Sequence, residues 1–205
     1  ARRRYGHTLA SWVTYRNVAL YQSLGTIGNE LQDTFQLCVN RTKLHKFKSE
    51  TADRCRSAYE WIGERIRESS LIHADETKGK VKEGGGYVWV FANSTLVYYV
   101  HADTREGNLL SDVLDGFNGV LVSDFYAAYD SVDCSQQKCI IHLIRDINDD
   151  IFKNPFDEEL RSFARGFTDV IAPIIETIDR FGLRKRNLNK HASRAERFFS
   201  WTLFG

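Results

Sequence analysis

Leu71-Ile72-His73-Ala74-Asp75-Glu76-Thr77 and Val120-Leu121-Val122-Ser123-Asp124-Phe125-Tyr126 are the two stretches that decide the fold. Each is a short apolar run closing on an aspartate, the pattern of a strand that delivers a carboxylate at its end. A carboxylate is costly to bury unless it is paired or holds a metal. Two of them on neighbouring strand ends make a divalent-cation site suited to phosphodiester chemistry. The plainer reading is that strand-end aspartates cap loops, and the residues by themselves leave both readings open.

Around these runs the pattern is mixed. Residues 9–69 are helical in character: Ile27, Leu31 and Phe35 recur every fourth position, and Thr26 after Gly25 is the expected cap. Asn40 is a good cap for a second, basic helix carrying Arg41, Lys43, Lys46 and Lys48. Two short helices with a basic second one suit a helix-turn-helix whose second helix enters the major groove. A solvated basic helix face is the equal alternative. A further helix is expected with Cys55, Tyr59, Ile62 and Ile66 inside.

Strands follow at 71–75, 87–91 and 96–100, the last two joined hairpin-fashion. Gly84-Gly85-Gly86 opens a strand rather than a helix, so it reads as a turn and not a phosphate cradle. A helix over 105–114, a strand over 119–124 and a short fifth strand over 137–139 come next. A helix to about residue 152 then carries Ile140, Ile144, Ile147 and Ile151 on one face. Asn154-Pro155 is expected to start another, with Pro173 kinking it and Gly182 ending it.

Three strands, a helix and a fourth strand match the start of a ribonuclease-H-like fold, an α/β (α+β) mixed sheet. In that order the first and fourth strands lie side by side, making Asp75 and Asp124 neighbours. Glu76 points to the other face, because strand side chains alternate. The expected organisation is a helical region over 1–69, a partial catalytic core over 70–153 and a helical insertion over 154–205.

The bulk numbers fit one sizeable core: 205 residues, 42% hydrophobic and 27% charged, with no run near the ~18 apolar residues of a membrane span. A cytoplasmic location is expected, with Cys38, Cys55, Cys134 and Cys139 as reduced thiols. The net charge of +1 gives no overall bias toward nucleic acid, so any such bias is local. A chain that starts at Ala1 and has no methionine reads as a fragment of a longer protein.

The motifs carry a family resemblance. His73-Ala74-Asp75-Glu76-Thr77, Tyr87-Val88-Trp89-Val90 and Ser123-Asp124-Phe125-Tyr126-Ala127-Ala128-Tyr129 resemble the catalytic core of DDE transposases, in the group named for insertion sequence sixty-six. Cys139-Ile140-Ile141-His142 resembles the Cys-x-x-His segment that follows the second aspartate there, and Gly182-Leu183-Arg184-Lys185-Arg186 and Asn189-Lys190-His191 extend the likeness.

The resemblance implies DNA strand cleavage and transfer with two divalent metals, Mg2+ or Mn2+. It makes Asp75 and Asp124 two of the three catalytic, metal-binding acids, and DNA the partner at transposon ends and target. A full-length transposase or a second copy of the chain are further partners. The family's third acid is a glutamate after a run of asparagines. No Asn-Asn pair occurs here, and Glu196 reads as a surface helix residue, so an incomplete catalytic set is expected. A remnant that binds DNA or inhibits the full enzyme, without catalysis, is the alternative.

Cys139 and His142 share a helix face. They are candidates for a hydrogen-bonded active-site rim and secondarily for zinc, which wants about four ligands. Tyr126 and Tyr129 read as core before DNA-groove residues. The basic stretch 184–190 is left open between phosphate contact and solvated loop.

Overall fold

The computed structural model describes residues 5–81, 84–105 and 108–204. Two compact units divide the chain, residues 1–137 and 138–205.

The first unit begins with three helices, α1 (His7–Val18), α2 (Leu24–Phe35) and α3 (Arg41–Arg67). Val13, Ile27, Leu31, Leu44 and Phe47 bury together where they meet. Ser23, not Thr26, caps α2: its hydroxyl accepts the Thr26 N–H at 3.0 Å. A serine one turn earlier competes with the threonine and wins, because it lies in the extended conformation that a cap requires. Asn40 caps α3 as expected, accepting from Lys43 N–H at 2.8 Å.

The basic helix and the longer helix expected after it are one helix of 27 residues. Nothing between them breaks it: no proline or glycine occurs before Gly63. Its two ends are buried by different partners, Leu44 and Phe47 among the helices and Ile66 against the sheet. The shaft between is exposed on every side, and Cys55 and Tyr59 are therefore not core residues.

The sheet follows: β1 (Leu71–Val81), β2 (Gly84–Ala92), β3 (Val97–Ala102), β4 (Val120–Ser123) and β5 (Ser135–Lys138), in the order β3-β2-β1-β4-β5. β1 runs antiparallel to β2 and parallel to β4. Helix α4 (Asn108–Val113) lies between β3 and β4 in the chain. The three strands, helix and fourth strand are therefore present, in the mixed sheet of a ribonuclease-H-like α+β fold. Gly84-Gly85-Gly86 is part of β2 rather than a turn. Gly86 pairs with Gly79, and a Cβ at Gly86 would sit 2.6 Å from His101 Nε2, so strand contacts and not flexibility account for this glycine.

One face of the sheet is sealed. Ile72, Ala74, Trp89, Phe91, Leu110, Leu114, Phe117, Leu121 and Tyr129 pack there with Ile66. Gly119, just before β4, is under tight constraint: a Cβ there would meet Ser70 O at 2.6 Å and the Phe117 ring at 2.7 Å. That close approach lets Val120 N–H donate to Ser70 O at 2.9 Å and sets the β4 register.

The second unit holds α5 (Ile140–Lys153), α6 (Glu158–Phe181), α7 (Lys185–Leu188) and α8 (Ala192–Phe204). Ile147, Phe167, Val170 and Ile171 form its core. Asp157 caps α6, accepting from Leu160 N–H at 2.9 Å, so the cap lies three residues after the expected Asn154. Phe156, left outside the helix, is 92% exposed. The helix runs on past Pro173 and stops at Gly182, whose φ of +71° no β-branched residue would hold. Thr177 Oγ1 donates to Pro173 O at 2.7 Å, which leaves its lone pairs to accept from His191 Nε2 at 2.8 Å. The Nε2–H form of His191 satisfies that pair.

Candidate active site

The parallel pairing of β1 with β4 leads toward the two aspartates. Leu71 faces Val120, Ile72 faces Leu121 and His73 faces Val122, an offset of 49 residues. Asp75 and Asp124 share that offset and lie two residues past the last pair of the ladder. Asp124 lies one residue beyond β4, where the chain leaves the sheet.

Both carboxylates are held by backbone amides. Asp75 Oδ1 accepts from Glu76 N–H at 2.9 Å, and Asp124 Oδ1 accepts from Tyr126 N–H at 3.0 Å. Among the described residues neither forms an ion pair with a lysine or arginine, and Oδ2 of each has no protein donor. Asp75 is exposed and Asp124 half-buried. Asp124 lies in the field of the Arg105 guanidinium without an ion pair, and Asp75 has no ion-pair partner among the described residues.

Glu76 does the opposite. Its side chain is only 2% exposed, on the face that carries Ile72 and Ala74. Glu76 Oε2 accepts the Tyr129 hydroxyl at 2.5 Å, and Oε1 takes both Nε, at 2.8 Å, and Nη2 of Arg105. The Arg105 guanidinium lies 3.8 Å from the centre of the Tyr126 ring, and Tyr126 OH donates to Arg105 O at 2.8 Å. Tyr129, in a short 3-10 turn (Ala127–Ser131), packs its edge on Trp89 with ring centres 5.8 Å apart. Burial, then the bond to Glu76 and the fields of Glu76, Asp124 and Asp75, push the Tyr129 phenol well above its usual range. The Glu76 carboxylate in turn holds the Arg105 guanidinium up.

The strand expected to end at Asp75 runs on to Val81, so Asp75 lies within β1, while Asp124 follows the last residue of β4. A family model matches the sequence. The model described as "Transposase IS66 family" covers residues 2–197. The chain belongs to that family. No curated protein matches the chain. The match carries the transposase assignment that the aspartate motifs implied, and a family of this kind uses a divalent metal and acts on DNA.

The other predicted residues are placed as follows. Cys139 is half-buried at the N-cap of α5 and makes no capping bond with its side chain. His142 lies in the first turn of the same helix, with a buried Nδ1 that has no hydrogen-bond partner among the described residues. Among the described residues no group of three or more His, Cys, Asp or Glu is arranged to hold a metal. Glu196 is exposed on α8. Arg41 and Lys46 are exposed in the first turns of α3, Lys43 and Lys48 half-buried, and Lys43 Nζ stands 4.9 Å from the Phe47 ring centre. None of the four is ion-paired among the described residues. Tyr129 is fully buried, as the core reading expects, while Tyr126 is half-buried beside the aspartates. No described helix is long and apolar enough to cross a membrane.

The Glu76–Arg105–Tyr129 cluster escaped the sequence. Its one available signal was an acid in phase with Ile72 and Ala74, since a charge on an apolar face needs a partner. Nothing local says that the partners stand 29 and 53 residues away.

Proposed function

We propose that Asp75 and Asp124 bind divalent metal for DNA strand cleavage and transfer in transposition, and that this chain holds two acids of a larger set. The reading is supported by the parallel β1–β4 register, which carried two residues past its last pair would set Asp75 opposite Asp124, and by the one oxygen of each carboxylate that accepts no hydrogen bond among the described residues. Hard, anionic oxygens that form no ion pair among the described residues fit Mg2+ or Mn2+. When bound, such metals activate the attacking hydroxyl and stabilise the leaving oxygen at the phosphate. The protein's own share is to fix both carboxylates by backbone amides on a rigid sheet. Glu76 is engaged instead by Tyr129 and Arg105 on the sealed face of β1.

Replacing Mg2+ by Fe2+ and adding ascorbate and peroxide tests this, because radicals made at the metal cut the nearest backbone. Cuts near residues 75 and 124, suppressed by Mg2+ and lost in Asp75→Asn, are expected; cuts elsewhere would contradict the assignment. The chain alone should leave labelled transposon-end DNA uncut, and cleavage that depends on Asp75 would overturn the two-acid limit.

A second role is favoured by the unpaired cations at the start of α3. Arg41, Lys43, Lys46 and Lys48 near a helix N-terminus suit phosphate contact. Gel-shift binding that is lost in Lys43→Glu with Lys46→Glu supports DNA binding without catalysis. No shift at low salt would sink it.

A further inference from the structure

The network beneath the aspartates joins the two segments that carry them. We propose that Glu76, Arg105, Tyr126 and Tyr129 form a clamp that fixes the spacing of the Asp75 and Asp124 carboxylates, acting as positioning residues and not as ligands. The inference rests on the metal reading above.

The geometry is specific. Glu76 and Tyr126 each hold one aspartate through the backbone N–H, and each holds Arg105 through the side chain. Arg105 therefore connects the residue after Asp75 to the residue two after Asp124. A second arm runs from Tyr129, five residues past Asp124, to Glu76 Oε2 at 2.5 Å. Both Glu76 oxygens are used, one by each arm. A charged pair in this place is not the cheapest way to fill an apolar face, since an apolar residue of similar size often serves stability as well or better. What the carboxylate adds is directional: two fixed bonds at defined angles, joining two strands at the point where they present their aspartates. The Tyr126 ring beneath the guanidinium and the Trp89 edge against Tyr129 hold both arms in one rotamer.

The test uses the whole chain and two readouts. The first is amide hydrogen exchange without metal, followed at Glu76 and Tyr126, with β2–β3 amides as the internal reference. The second is Mn2+ affinity. Tyr129→Phe keeps the ring and removes one bond. Arg105→Gln changes a side chain that is 41% exposed, so that variant stays folded even if Tyr129→Phe does not. Either should speed exchange at the two amides relative to the reference and weaken Mn2+ about tenfold or more. Arg105→Lys should recover part of both effects. Unchanged exchange and unchanged affinity, with only a lower melting temperature, would overturn the clamp and leave the network a purely structural one. Asp75→Asn separates the two ideas. If it leaves Mn2+ affinity intact, the metal reading fails, and the amide readout still decides whether the clamp exists.

Discussion

The two faces of one strand behave oppositely. On β1, Ile72, Ala74 and Glu76 face a sealed interior where every charge is matched; His73, Asp75 and Thr77 face outward, and Asp75 has no counter-charge. Neighbouring residues 75 and 76 are both acids, yet one is fully satisfied and the other is left open. The sealed face supplies folding free energy. The open face holds charge that only a bound cation relieves.

Substitution sharpens this contrast most on the sealed side. Trp89→Ala, which empties a fully buried position, should cost about 3–5 kcal/mol in urea unfolding, and Leu121→Ala about 2–5 kcal/mol. His73→Ala, on the open face of the same strand, should stay within about 0.5 kcal/mol. A large loss at His73 would break the comparison.

The charge on the open face predicts a smaller effect of opposite sign. In metal-free protein Asp75→Asn removes a like-charge repulsion and should raise stability by about 1 kcal/mol or less, more at low salt than at high. Destabilisation would mean that Asp75 has a partner in the fold.

Tyr129 adds a pH signature for the sealed face. Its folded phenol is raised above the unfolded value near 10, so the folded state holds the proton more tightly. Its contribution is complete below about pH 10 and is lost above it, by about 1.4 kcal/mol per pH unit. Tyr129→Phe should flatten that alkaline slope; a slope unchanged in the variant would assign it elsewhere.

Much of this was legible from strand patterning. The order of the β1 and β4 runs gave the adjacency of the two strands, and the structure pairs them in parallel. Local competition was harder to read. Ser23 over Thr26 and Asp157 over Asn154 are choices among adjacent good caps, decided by where tertiary packing starts each helix. The continuity of α3 was hidden because its exposed shaft lacks the apolar stripe that marks a helix. The partners of Glu76 were beyond reach, since long-range side-chain pairs leave no periodic trace.

The pairing of Asp75 with Asp124 is tested most directly by calorimetric Mn2+ titration of the chain, of each Asp→Asn variant and of the double variant. A shared site predicts that either substitution abolishes most of the affinity and that the double variant is no worse than the singles. Losses that add independently, or affinity retained in both single variants, would contradict it.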